Sequence, residues 1–162
     1  MMVFHFRRLG VVLLSLSLFA CGFHLRGNAG DLSWLNPLYL ETAQLDQYQQ
    51  SLIETSLKKS SVRLVENAPS ANRLNVKLSA LKTRRIASSQ LSDIELLQLS
   101  MDIQYSVKNS AGILVHSSQR INLSKELELD ANNVLAHEQA IANATRSLQQ
   151  NLVRSMLARL SH

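Results

Sequence analysis

Cys21 is the one cysteine in this chain of 162 residues, and its surroundings give the thiol a specific chemistry. Ahead of it stand Arg7 and Arg8, then an apolar run from Leu9 to Ala20, closing as Leu18-Phe19-Ala20-Cys21. A basic flank, a short apolar core and a small residue before the cut are the parts of an export signal. A cysteine directly after that small residue reads as a lipobox. Its sulfur would take a diacylglycerol through a thioether, and the amine freed by cleavage would take a further acyl chain, making an N-palmitoyl, S-diacylglycerol cysteine. One acyl chain holds a protein to a bilayer marginally and two hold it firmly, so this terminus would be well anchored. The apolar run is well short of the roughly 20 residues that span a bilayer, so a transmembrane helix is not expected. An ordinary secretory peptide followed by a chance thiol is the plainer alternative. It leaves a lone exported cysteine without a role.

Catalytic groups are scarce by comparison. There is no Gly-x-Ser-x-Gly elbow and no glycine-rich phosphate loop. His24, His116, His137 and His162 follow no metal-ligand spacing, and His116 falls on the expected wet side of a strand. Ser-x-x-Lys occurs as Ser56–Lys59 and Ser79–Lys82, in a chain so rich in serine that chance suffices. Glu126 and Glu128 share a strand face and read as a solvated edge. The chain is therefore expected not to be an enzyme, with no metal and no cofactor beyond the lipid on Cys21. The basic residues are more suggestive. Lys82, Arg84 and Arg85 close one strand pattern, and Arg120 and Lys125 lie along another. Arg engages phosphate bidentately and Lys supplies a mobile point charge, so these five are candidates for an anionic headgroup. A solvated strand end that discourages aggregation is the bland reading of the same charges.

The elements that must carry these groups are legible from periodicity. Residues 1–20 read as the removed signal, 21–32 as a glycine-containing tether, and 33–162 as a single domain. Pro37–Thr42 alternates enough for a short strand, and 43–59 repeats Leu45, Tyr48, Leu52, Ile53 and Leu57 near helical spacing. Leu74, Val76, Leu78 and Ala80 alternate with polar residues from Arg73 onward. From Leu97 to Lys108 the alternation is stricter, with Gln98, Ser100, Asp102, Gln104 and Ser106 on the wet side. Asn109-Ser-Ala-Gly112 makes a turn into a third long strand from Ile113 to Leu129. Asp130–Asn133 offers caps for a final helix over 134–160, with Ile141, Ala144, Leu148, Leu152, Met156 and Leu160 as its inner stripe. The expected fold is α+β: two helices packed on one face of a mostly antiparallel four-stranded sheet, whose polar face nothing in the chain covers.

Charge narrows the partners. Residues 1–20 hold two of the 17 basic residues and none of the 12 acids, which leaves a net charge of +3. That suits an anionic lipid or phosphorylated glycolipid without demanding one. No basic run with interleaved aromatics points to nucleic acid.

The residues after the lipobox, Cys21-Gly22-Phe23-His24-Leu25-Arg26-Gly27, resemble the start of the mature LPS-assembly lipoprotein LptE family, which opens Cys-Gly-aromatic-His-Leu-Arg. The layout of strand, helix, long strands and final helix is similar to that family too. The resemblance implies an anchor in the outer membrane of a Gram-negative bacterium, on its periplasm-facing side. Gly22 agrees, because aspartate at that position is the usual signal for retention in the inner membrane. It further implies a plug in the barrel of LptD that assists its folding and lipopolysaccharide transport to the outer leaflet. A free-standing periplasmic lipid-binding lipoprotein is the alternative, and it needs a deep apolar cavity.

Overall fold

The computed structural model describes residues 31–66, 69–88, 94–130 and 132–161. Cys21, the expected lipidation site, lies outside them, as does most of the expected tether. Leu32, at the end of that segment, is wholly buried. A short 3-10 turn, Ser33–Leu35, leads into β1, Leu38–Glu41. Next come α1 (Gln47–Lys59), β2 (Asn72–Leu78), β3 (Lys82–Ser88), β4 (Ile94–Lys108), β5 (Leu114–Asp130) and α2 (Val134–Leu160).

Both helices start where side chains satisfy their free amides. Asp46 accepts from the Gln49 amide while the Gln49 side chain accepts from the Asp46 amide, a reciprocal capping box. Asn133 Oδ1 accepts from the Ala136 amide, so the caps expected before 134 are in use. Lys58, Lys59 and Arg159 in the last turns complement the helix dipoles. No helix among the described residues is long and apolar enough to cross a membrane.

The α+β class and the two-helix layer stand, and the sheet is mixed. β1 pairs parallel with β2, and every other pairing is antiparallel. Five strands replace the expected four because the pattern beginning at Arg73 is broken. β2 pairs with β4 as far as Leu78 opposite Ile103, and β3 resumes at Lys82 opposite Ser100. Three residues, Ser79 to Leu81, thus stand against two, Met101 and Asp102. The Ser79 amide donates to the Asp102 carbonyl, and the Asp102 amide donates to Ser79 Oγ, which holds the bulge. β2 and β3 therefore run in tandem along one side of β4, with β5 on its other side. Residues 61–65 contribute a bridge of Leu64 to Leu38 that covers the outer edge of β1.

One apolar core lies between helices and sheet. Ile53 and Leu57 of α1 and Leu148, Leu152 and Met156 of α2 meet Leu38, Leu74, Val76, Leu99 and Ile103 there. At roughly 25 cal/mol per Å² of apolar surface removed from water, that contact holds the helices to this face.

Candidate functional site

The alternation of β4 separates two surfaces. Leu97, Leu99, Met101, Ile103, Tyr105 and Val107 are buried under the helices, while Gln98, Ser100, Asp102, Gln104 and Ser106 are half-buried on the other face. Residues directly opposite in a ladder share a face. On the helix-free side, Arg73 therefore stands beside Lys108, Lys77 beside Gln104, Lys82 beside Ser100 and Arg84 beside Gln98. The tandem β2–β3 edge thus lays four cations in a line along a polar central strand that carries Asp102 on the same face. From β5, Arg120 stands beside Gln104, and its Nε lies 3.6 Å from Asp102 Oδ2. Glu126 faces Gln98, at the end of the sheet where Arg84 lies.

Three of the five basic candidates, Lys82, Arg84 and Arg120, are brought together on this face, and two are not. Arg85 sits opposite Leu97, on the helix side, where its guanidinium pairs with Glu95. The second oxygen of Glu95 lies 3.8 Å from His137 Nε2 near the start of α2. Lys125 sits opposite Leu99, between Leu123 and Leu127, and is exposed on the helix side of the sheet edge. Adjacent strand residues point to opposite faces, so Arg84 and Arg85 cannot serve one ligand together.

Arg73 and Lys77 were missed among the candidates. Their alternation with Leu74, Val76 and Leu78 puts them on the helix-free face, and the extra residue at Ser79–Leu81 brings Lys82 and Arg84 onto that same face. His116 is not on the wet face. A register shift after Tyr105 sets it opposite Val107, with its ring centroid 5.6 Å from that of Tyr105. Tyr105 itself is buried and donates its hydroxyl to Gln119 Oε1 at 3.0 Å. Burial pushes its phenol pKa up, against a pull downward from the Arg159 guanidinium.

At the β1 end the open face runs into a shallow cleft of about 510 Å³ formed by Tyr39, Glu41, Thr42, Arg73 and Asn75. The Arg73 guanidinium lies 5.9 Å from the Tyr39 ring centre, and Glu41 accepts from the Asn75 amide at 2.6 Å. No group of three or more metal-binding side chains occurs among the described residues. The arrangement is suited to broad recognition of a polar wall or of phosphate, through spaced cations and amide groups.

No family model matches the chain, and no curated protein matches it. Its fold is shared with solved bacterial lipoproteins. Rare lipoprotein B from Shewanella oneidensis superposes with a TM-score of 0.67 at 14% identity, over 78% of this chain and 94% of its own. Lipoprotein B from Nitrosomonas europaea gives 0.67 at 16% identity, over 86% and 90%. A minor lipoprotein from Acinetobacter baumannii gives 0.62 at 16% identity, over 78% and 91%. At these identities the likeness is one of fold alone.

Proposed function

We propose that the protein is a lipid-anchored outer-membrane lipoprotein that seats inside a large β-barrel of the LptD type, assists its assembly and aids lipopolysaccharide transport. The observation that carries this reading is the uncovered polar face of a long sheet. A sheet covered on one side presents such a polar face to water, and the lumen of an outer-membrane barrel is polar too, so this face matches a barrel wall without a desolvation mismatch. The lipobox at Cys21 and the fold shared with solved lipoproteins support the anchoring. The mechanism is non-covalent. Acyl chains raise local concentration, the open face complements the lumen, and the line from Arg73 to Arg84 meets phosphates of the glycolipid.

The carrier alternative draws no support from the clefts among the described residues. The one between β1 and α1 mixes Leu40, Leu64 and Val65 with Tyr39, Glu54, Lys58 and Glu66 and is open and charged at its rim, and most apolar side chains are spent on helix–sheet packing. Extraction in mild detergent followed by affinity purification tests the proposal. Recovery of one barrel protein per copy supports it. Recovery of this chain alone with bound lipid supports a carrier instead.

A further inference from the structure

The two ends of the sandwich differ in a way that the barrel reading does not use. At one end the chain enters the described fold at Asp31, ten residues after Cys21. The register collects several elements there. The start of β1 faces the start of β2, which faces the end of β4 and, through it, the start of β5. The turn after α1 joins them, since Asn36 Nδ2 donates to the Ser61 carbonyl and the Arg63 amide donates to Asn36 Oδ1. The end of α2 joins them too, because Trp34 Nε1 donates to the Leu160 carbonyl at 3.2 Å.

This end is both apolar and basic. Ile113, Leu114 and Val115 leave the β4–β5 turn 62%, 50% and 49% exposed, and Trp34 is 47% exposed. The turn that presents them is firmly held. Asn109 Oδ1 accepts from the amides of Ala111 and Ile113, and Gly112 supplies the φ of +80° that closes it. The elements that meet at this end carry Lys58, Lys59, Arg63, Lys108 and Arg159, all exposed, against Asp31 and Glu66. At the opposite end Ile86, Ile94, Val134 and Leu135 are exposed as well, but the acids Glu126, Glu128, Asp130 and Glu138 stand there among Arg84 and Arg85, so charge rather than apolarity distinguishes the two ends.

We infer that the end bearing Trp34 and Ile113–Val115 rests on an anionic bilayer surface, with those side chains in the interface and the surrounding lysines and arginines on lipid phosphates. The inference rests on the lipid-anchor part of the proposed function and not on the barrel. Ten residues reach at most ~36 Å, so the Cys21 acyl chains hold this end, rather than the acidic one, close to the membrane. Tryptophan favours the headgroup level because its ring is apolar and its N–H is polar. Here that N–H is already bonded to Leu160, so seating the rest of the ring leaves no donor unpaired. Each cation near an anionic surface adds about fivefold to its attraction, fading within a Debye length of ~8 Å at physiological salt.

Trp34 is the only tryptophan in the chain and so reports on the contact directly. The full lipidated protein is reconstituted into vesicles of phosphatidylethanolamine with phosphatidylglycerol, and its emission is read with brominated acyl chains and with acrylamide. Strong quenching by the brominated lipid and shielding from acrylamide are expected, with both effects weaker in phosphatidylcholine vesicles or at high salt. The triple variant Lys58→Gln, Lys59→Gln, Lys108→Gln and the separate variant Leu114→Ser should each reduce the lipid quenching while circular dichroism stays unchanged. Vesicle-bound protein whose Trp34 is unquenched by lipid and open to acrylamide overturns the inference, and so does protein that fails to float with vesicles. A contact made by another protein gives that same negative result in pure lipid. Failure to recover a barrel in the purification above leaves the quenching untouched, so the two readings fail separately.

Discussion

Leu99 and Ser100 are neighbours in the chain and opposite in what they do. Leu99 is wholly buried between sheet and helices, whereas Ser100 looks out from the bare face with Lys82 on one side and Ser124 on the other. The contrast holds along β4. One set of side chains fixes how the chain folds, and the interleaved set is left over for whatever the protein meets. A single amphipathic strand thus separates stability from recognition by residue parity, with a spacing of one residue between the two tasks.

Truncations of the buried set should hurt most. Leu152→Ala or Ile103→Ala removes a wholly buried side chain from the common core and should cost about 2–5 kcal/mol, read as a fall in denaturation midpoint. The partner substitutions Gln104→Ala and Ser100→Ala should stay within about 0.5 kcal/mol by the same measurement. If the two sets cost alike, the bare face is structural and the comparison breaks. At the seam between β2 and β3, Ser79→Ala removes the hydroxyl that the Asp102 amide donates to, and about 1 kcal/mol should be lost. Helix start Asn133→Ala should cost about 1 kcal/mol by chemical denaturation.

Arg120→Ala should lie near the bottom of this order. Arg120 is exposed while Asp102 is half-buried, and at a 3.6 Å separation such a surface-edge pair contributes about 0–1 kcal/mol, so the midpoint should move little at ordinary salt. The smallest effect is on pH dependence. Because burial holds the Tyr105 pKa above its ordinary value, its contribution is intact below pH ~10 and is lost as pH rises through and beyond that value. Tyr105→Phe should flatten part of the stability loss on the alkaline side, measured by thermal melts across pH, on top of a pH-independent loss of about 1 kcal/mol from the missing bond to Gln119.

Much of this division was legible in the residues. The span 134–160 and the alternation from Leu97 to Lys108 carry long, regular patterns bounded by capping or turn residues, and the structure places α2 and β4 there within three residues. The break between β2 and β3 carried no such mark. Ser79-Ala80-Leu81 contains neither glycine nor proline, and the bulge arises from a count of three against two that only the paired strand reveals. The parallel pairing of β1 was invisible for the same reason, since strand order is a property of contacts between distant segments. The basic candidates were grouped by nearness in sequence. Parity divides them, and for Lys125 it was readable, at leucine spacing between Leu123 and Leu127; Arg73 and Lys77 fall in step with Lys82 and Arg84 only through the bulge, which the residues do not mark.

The recognition half of the account is tested most directly by photo-crosslinking in cells of a Gram-negative host. A crosslinking residue is placed at Gln98, Ser100 or Gln104 on the bare face, one at a time. The account predicts that each captures a large outer-membrane barrel protein as a single heat-stable adduct. Failure of all three to capture any barrel, while the lipidated protein accumulates normally, would contradict it.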